Sequence, residues 1–321
     1  MNYSRRRSII AVAFLLFINT FAGGQHKDLE HIMASVSEER QKNLLSFFSD
    51  DLMEGRASNS PGALMTLSAV SGLFSEWDMI PFYSQTFIRT FTRGEFTGRN
   101  LAGVVLANGY SDKYILVSAH YDHLGKLGGS IYNGADDNAS GVTVLVTLAD
   151  MFSRFRKSSS HLRHNIIFLL LDGKENNLAG SEEFVKNLPI PFSKVIFAMN
   201  LDQVGTTFSP PGKSENYLLL VGDKRGREMA RAKTSNARRD SGNMIEPDFT
   251  FYGSPSFAQL FFRTSDQYNF SRNGIPSLLV TSGIHMHTYK VTDDHYFINY
   301  PVLANRTKFL FQLIYQISAG Y

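Results

Sequence analysis

Cysteine is absent from this chain of 321 residues. That removes disulfides, thiolate metal ligands and cysteine nucleophiles, along with any lipidated cysteine behind the apolar N-terminus. Charge of one sign is not in excess either. Against 32 Lys and Arg stand 29 Asp and Glu, and the net +3 makes no case for nucleic acid. Basic residues bunch once, at Arg225, Arg227, Arg231, Lys233, Arg238 and Arg239. That segment has helical character and reads as a solvated helix face. No apolar run reaches the roughly 18 residues of a membrane span, so none is expected in the mature chain. Internal repeats, low-complexity tracts and linker-like stretches are missing as well, which favours one domain.

What is present is a globular composition, 43% hydrophobic and 19% charged. Arg5, Arg6 and Arg7 precede an apolar run over 9–21, and Ala22-Gly23-Gly24 supplies small residues near a cleavage point. This is the pattern of a secretory signal peptide over 1–24, with a faint resemblance to a twin-arginine signal. The expectation is an exported, soluble protein, periplasmic or extracellular, whose mature chain begins near Gly23 to Gln25.

Apolar residues recur at helical spacing over 28–48 and again over 61–77, where Leu64, Leu67, Val70 and Phe74 fall three and four apart. Residues 82–92 alternate like a strand. Beyond them strands and helices interleave. Strands are expected over 113–118, 165–171, 194–200, 217–221 and 277–280, and helices over 142–155, from 181, and over 301–317. The unbroken apolar run at 165–171 marks a strand buried on both faces. This alternation predicts a three-layer α/β/α sandwich with a mixed, mostly parallel central sheet.

Ligand sites in such sheets form at the C-terminal ends of strands. His120 and Asp122 follow one strand end, Lys174 and Glu175 another, and Asp202 a third, with Lys290 beyond a fourth. Imidazole and carboxylates delivered to one edge are the donor types that zinc hydrolases use. The segments read His120-Tyr121-Asp122, Gly134-Ala135-Asp136-Asp137-Asn138-Ala139-Ser140-Gly141, Asp172-Gly173-Lys174-Glu175, Asn200-Leu201-Asp202 and Tyr289-Lys290-Val291-Thr292-Asp293-Asp294.

These segments resemble peptidase family 28 metallo-exopeptidases, the co-catalytic zinc aminopeptidases, whose relatives include glutaminyl cyclases. Leu52-Met53-Glu54-Gly55-Arg56, Thr97-Gly98-Arg99-Asn100, Ser181 and Gly274-Ile275-Pro276 extend the likeness over nearly all of 25–321, as a single zinc-peptidase-like domain. The resemblance implies that His120 and Asp202 hold one metal and that Asp136 bridges two, with a cis bond to Asp137. It implies that Glu175 holds the second metal and that Asp122 orients His120 from behind. It also exposes two departures. Lys174 stands where the family has a glutamate base, and Lys290 where it has the last histidine ligand. Gln267, next to Tyr268 in a segment similar to one beside the family's substrate pocket, replaces a histidine.

A charged lysine has no lone pair, so it neither accepts a proton nor binds a metal. The four carboxylates Asp122, Asp136, Glu175 and Asp202 with two inward lysines are neutralised by one divalent ion, so zero or one zinc is favoured over two. Lys290 is expected to salt-bridge Glu175 or Asp136 in place of a metal, and Lys174 to do the same for Asp202 or Asp136. His285 or His287 offers a replacement ligand if the chain shifts by a few residues. The leading reading is an exported family member with impaired or lost peptidase activity that binds peptides or peptide-like ligands. The alternatives are an active metallo-aminopeptidase acting on peptide N-termini, a glutaminyl cyclase-like aminoacyltransferase, and a scaffold with an empty cleft.

Overall fold

The computed structural model describes residues 28–158, 161–208, 214–242 and 245–320. The expected signal peptide lies outside them. The strands are β1 (Ile80–Pro81), β2 (Ile88–Arg93), β3 (Phe96–Val105), β4 (Tyr114–His120), β5 (Gly125–Leu127), β6 (Ser130–Tyr132), β7 (Asn165–Leu171), β8 (Val195–Leu201), β9 (Tyr217–Gly222), β10 (Glu246–Asp248) and β11 (Ser277–Thr281). The helices are α1 (28–34), α2 (Glu38–Phe48), α3 (Pro61–Glu76), α4 (Gly141–Lys157), α5 (Ala179–Lys186), α6 (Lys224–Ser241), α7 (Pro255–Phe262), α8 (Gln267–Arg272) and α9 (Tyr300–Ala319).

The main sheet runs β1-β3-β7-β4-β8-β11-β9-β10, with β2 on the other part of β3. Its centre, β7-β4-β8-β11, is parallel throughout. Antiparallel partners flank it, β3 on β7 and β9 on β11. Parallel centre strands need helices on both faces, and the buried side chains divide accordingly. Along β7, Ile166, Phe168 and Leu170 pack with α2, α3, α4 and α9, whereas Ile167, Leu169 and Leu171 pack with Phe184 of α5 and Phe270 of α8. All seven β7 residues are buried, so the strand reads as an unbroken apolar run because both faces are covered.

Two local expectations are corrected. The helix expected over 28–48 is two helices, because Ser37 is extended and its hydroxyl caps the start of α2 through Arg40 N. The strand expected over 82–92 is confined to its second half. Residues 83–86 turn back on themselves through a Tyr83–Thr86 bridge.

Because β4, β7, β8 and β11 point the same way, His120, Asp172, Asp202 and the loop after Thr281 all leave one edge. That edge carries the site.

Candidate metal centre

His120 is the last residue of β4 and is fully buried. Its Nε2 lies 3.3 Å from Asp137 Oδ1 and 3.4 Å from Asp202 Oδ1. Its Nδ1 lies 3.1 Å from the main-chain oxygen of Asp122 and 3.8 Å from that residue's carboxylate. The ring is therefore fixed by backbone. The Asp122 carboxylate instead takes the backbone N–H groups of Lys174 and Glu175, each at 3.2 Å. Asp122 thus shapes the turn after β7 more than it orients the imidazole. Burial, with the charge of Asp172 beside it, pushes its pKa up to about 8.

The second carboxylate of the centre is Asp137, which overturns the expectation for Asp136. Between them the chain changes course, with Asp137 outside helical geometry at φ −107° and ψ 84°. Asp136 points away from His120. It accepts from Gly205 N at 2.6 Å and Thr206 Oγ1 at 2.9 Å, and lies 3.0 Å from His285 Nε2. The cis peptide is Asp137–Asn138, one residue later than expected. Asn138 pins this turn across the sheet edge, donating to the main-chain oxygens of His120 and Leu201. Asp293 holds it from the other side, accepting from Asp136 N at 2.9 Å and Asp137 N at 3.0 Å. Burial and the neighbouring Asp136 push Asp293 up to about 7.

Lys174 extends into the middle of this group and is buried. Its ammonium donates to Glu175 Oε1 at 3.0 Å, Tyr289 Oη at 3.1 Å and Asp137 Oδ1 at 3.3 Å. Burial opposes its charge, but Asp137, Asp202 and Glu175 outweigh burial and hold its pKa well above the ordinary value. Asp137 is held well below the carboxylate range in turn, because Lys174 and His120 outweigh its own desolvation. His120 is raised: burial and Lys174 oppose its proton, while Asp202 and Asp137 hold it more strongly. The group is an interlocked set of charges.

Lys290 is not part of it. The residue is exposed, and the loop turns at Tyr289, whose φ is +60°. The tyrosine, itself half-exposed, turns its hydroxyl to Lys174, with the ammonium 5.2 Å from its ring centre. The expected salt bridge from Lys290 to Glu175 or Asp136 is absent among the described residues. Neither histidine of the loop stands in as a ligand. His285 is engaged with Asp136, and His287 bonds Thr292 Oγ1 at 2.9 Å and stacks on Phe297 at 4.1 Å. Gln267 is fully buried, its amide spent on Asn200 at 3.1 Å and Phe262 O at 2.6 Å, so it faces no ligand. Tyr268 does line a cavity that Lys174 also reaches.

Two neighbours escaped the sequence reading. Ser265 donates to Asp202 Oδ2; it opens the Ser265-Asp266-Gln267 stretch that resembles the family's pocket segment, but the resemblance gives it no role. His123 stands three residues after His120. It stacks parallel to Tyr289 at 6.2 Å with both ring nitrogens buried and unpartnered among the described residues, and burial lowers its pKa to about 3. The spacing within His120-Tyr121-Asp122-His123 was the available clue.

Donor chemistry allows a test of metal fit. His120, Asp137 and Asp202 converge, and Asp137 Oδ2 is buried without a partner among the described residues, so one ion has a donor set of the right type there. His120, Asp137 and Glu175 also offer atoms within 4.8 Å of one another. A second ion between Asp137 and Glu175 does not fit, because the Lys174 ammonium holds that space.

The model of peptidase family M28 matches residues 100–314. The chain belongs to peptidase family M28. Among solved structures of the same fold are the LapA aminopeptidase of Legionella pneumophila and the glutaminyl cyclase of Porphyromonas gingivalis. The first has a TM-score of 0.69 at 16% identity, over 91% of this chain and 75% of that one. The second has a TM-score of 0.64 at 15% identity, over 87% and 97%. A zinc aminopeptidase of Bacillus subtilis shares the fold, with a TM-score of 0.52 at 20% identity over 69% of this chain and 50% of that one. A curated relative is BOS complex subunit ncln of Danio rerio, 31% identical over 137 residues, 38% of this chain and 24% of that protein. The chain thus spans about a quarter of the length of that relative. Among the described residues no helix of this M28 protein is long and apolar enough to cross a membrane.

Proposed function

We propose that this protein is an exported M28 member whose aminopeptidase chemistry is impaired or lost, and whose cleft holds peptides or peptide-like ligands. The observation that carries the reading is the position of the Lys174 ammonium, in contact with both Asp137 and Glu175. An ammonium has no lone pair with which to take a proton from water, and its elevated pKa keeps it charged. Asp122 is committed to two backbone donors, and Asp137 Oδ1 to Lys174 and His120. Export rests on the arginine-led apolar N-terminus. The binding role is in keeping with a relative that is, by name, a subunit of a complex.

For the metal, we propose zero or one zinc ion. With Lys290 outside and Asp122 raised to about 8, Asp137, Glu175 and Asp202 set three negative charges against one lysine, and one divalent ion neutralises the remainder. The ammonium between Asp137 and Glu175 supports the same count. If one ion binds, His120, Asp137 and Asp202 hold it, and it supplies Lewis acidity. Lys174 and Tyr289 then flank it with donors suited to a ligand's oxygen.

The test is hydrolysis of aminoacyl p-nitroanilides by the purified mature protein with added zinc. No turnover above the blank is expected, since a missing general base alone costs about 10²–10⁴-fold. Lys174→Glu is expected to raise zinc binding and to give slow turnover. Robust zinc-dependent hydrolysis by the unmodified protein would overturn the proposal.

A further inference from the structure

Two cavities lie along α7, α8 and the start of α6, the first of them reaching Lys174. The nearer, about 450 Å³, is lined by Lys174, Arg93, Arg263, Arg272 and Tyr268, with Glu182 its one acidic residue. The second, about 450 Å³, shares Arg263 and Tyr268 with the first and adds Lys224 and Arg227. Arg263 and Tyr268 line both, so the two cavities adjoin and are taken together as the compartments of one groove.

The charges inside do not cancel. Glu182 pairs with Arg93 at 3.1 Å, and Lys174 is matched by Asp137 and Glu175. Asp223, the acidic residue of the second compartment, keeps its negative charge against Lys224, Arg227 and Arg263, but both its oxygens are taken up by the fold. It accepts from Gly226 N at 2.8 Å, Ser277 N at 2.8 Å and Ser271 Oγ at 3.0 Å. That leaves Arg263, Arg227 and Lys224, whose side chains have no hydrogen bond or ion pair among the described residues. Arg272 adds a fourth positive charge, its guanidinium 5.6 Å from the ring centre of Tyr268. Solvated arginines are common on any surface, but these line a concavity. Its aromatic wall is Tyr268 packed edge-on against Phe262 at 6.3 Å. A concave site with unneutralised guanidinium groups recognises carboxylates in paired hydrogen bonds, and low-dielectric walls concentrate its field.

We infer that this groove binds an acidic peptide segment, with carboxylate side chains at Arg263, Arg272 and Arg227 and one end of the peptide beside Lys174. The inference rests on the reading of the cleft as a peptide-holding site and names the class of peptide. The groove's length, two compartments joined at Arg263, suits several residues of an extended chain rather than a single small anion.

The test is calorimetric titration of the mature protein with a hexaglutamate peptide, a hexaglutamine peptide, tripolyphosphate and a single-stranded oligonucleotide. Hexaglutamate is expected to bind at least about tenfold more tightly than hexaglutamine, with affinity falling as salt rises. Arg263→Ala is expected to weaken it about fivefold. Arg239→Ala, at the far end of α6 and paired with Asp240, leaves it unchanged. Equal affinity for the two peptides, or no effect of Arg263→Ala, overturns the inference. So does tripolyphosphate or oligonucleotide binding more tightly than hexaglutamate. Mass spectrometry of the titrated peptide separates this outcome from the larger proposal. Tight binding with cleavage refutes loss of activity but leaves the groove standing, whereas no selective binding and no cleavage refutes the groove alone.

Discussion

At the scale of single residues, the centre is governed by one ammonium among carboxylates. Removing one partner of a buried ion pair leaves the other charged and desolvated, at about 3–5 kcal/mol. Lys174→Met is therefore expected to lower stability in urea by an amount of that order at neutral pH. Since the folded pKa of Lys174 is raised, its contribution is fully present below about pH 10.4 and is lost only as pH climbs through the raised value. The difference between wild type and Lys174→Met should accordingly be flat from pH 7 to 9; a difference that faded there would contradict a charged lysine. Asp266 shows the opposite case. It is fully buried, neither carboxylate oxygen has a hydrogen-bond partner among the described residues, and the nearby Ser181 hydroxyl is spent on Leu178 O at 3.1 Å. Burial raises its pKa to about 6. A raised carboxyl favours folding below pH 3.8 and loses that advantage as pH rises to about 6. Asp266→Asn is expected to be more stable than wild type at pH 7.5, by up to about 3 kcal/mol. That gain should shrink towards zero near pH 4, as read by urea midpoints at the two pH values.

At the scale of elements, the edge of the sheet is tied by a buried arginine. Arg56 ends the tight turn at Asp51–Arg56 and donates to the main-chain oxygens of Phe48, Tyr121, Asn133 and Gly134. Those contacts join the end of α2 to the loop between β4 and Asp137. A lysine has one compact ammonium in place of a planar fork, so Arg56→Lys leaves carbonyls unpaired at about 1–3 kcal/mol each. The expected result is a fall in melting temperature of many degrees, with loosened amide protection over 121–138 by hydrogen exchange. Protection unchanged there would refute the tie. The same turn explains Gly62 of α3. A Cβ at that position would sit 1.6 Å from Met53 O, which is backbone and has little room to give. The helix thus lies against the turn at backbone distance.

At the scale of the whole molecule, four parallel strand ends bring residues more than 80 positions apart into one cluster. Stoichiometry is the property that belongs to this scale. Equilibrium dialysis against zinc followed by elemental analysis is expected to give at most one ion per chain, and Lys174→Glu more than wild type. Two tightly held ions in wild type would sink the account of the ammonium as occupant of the second position.

The sequence by itself determined the family, the helix-and-strand alternation and which strand ends carry chemistry, because these follow from periodicity and from motifs that are local in the chain. The run 165–171 could only be a strand covered on both faces, and Lys174 in place of a glutamate base was visible as a letter. Direction was not visible. Whether Asp136 or Asp137 faces His120 depends on backbone torsions inside one turn, which Asn138 and Asp293 fix from distant segments. Whether Lys290 or Tyr289 enters the site depends on a left-handed residue in a loop. Side-chain direction in irregular segments is set by contacts that the fold makes later. The sequence therefore named the residues that could meet, and tertiary structure decided which of them did.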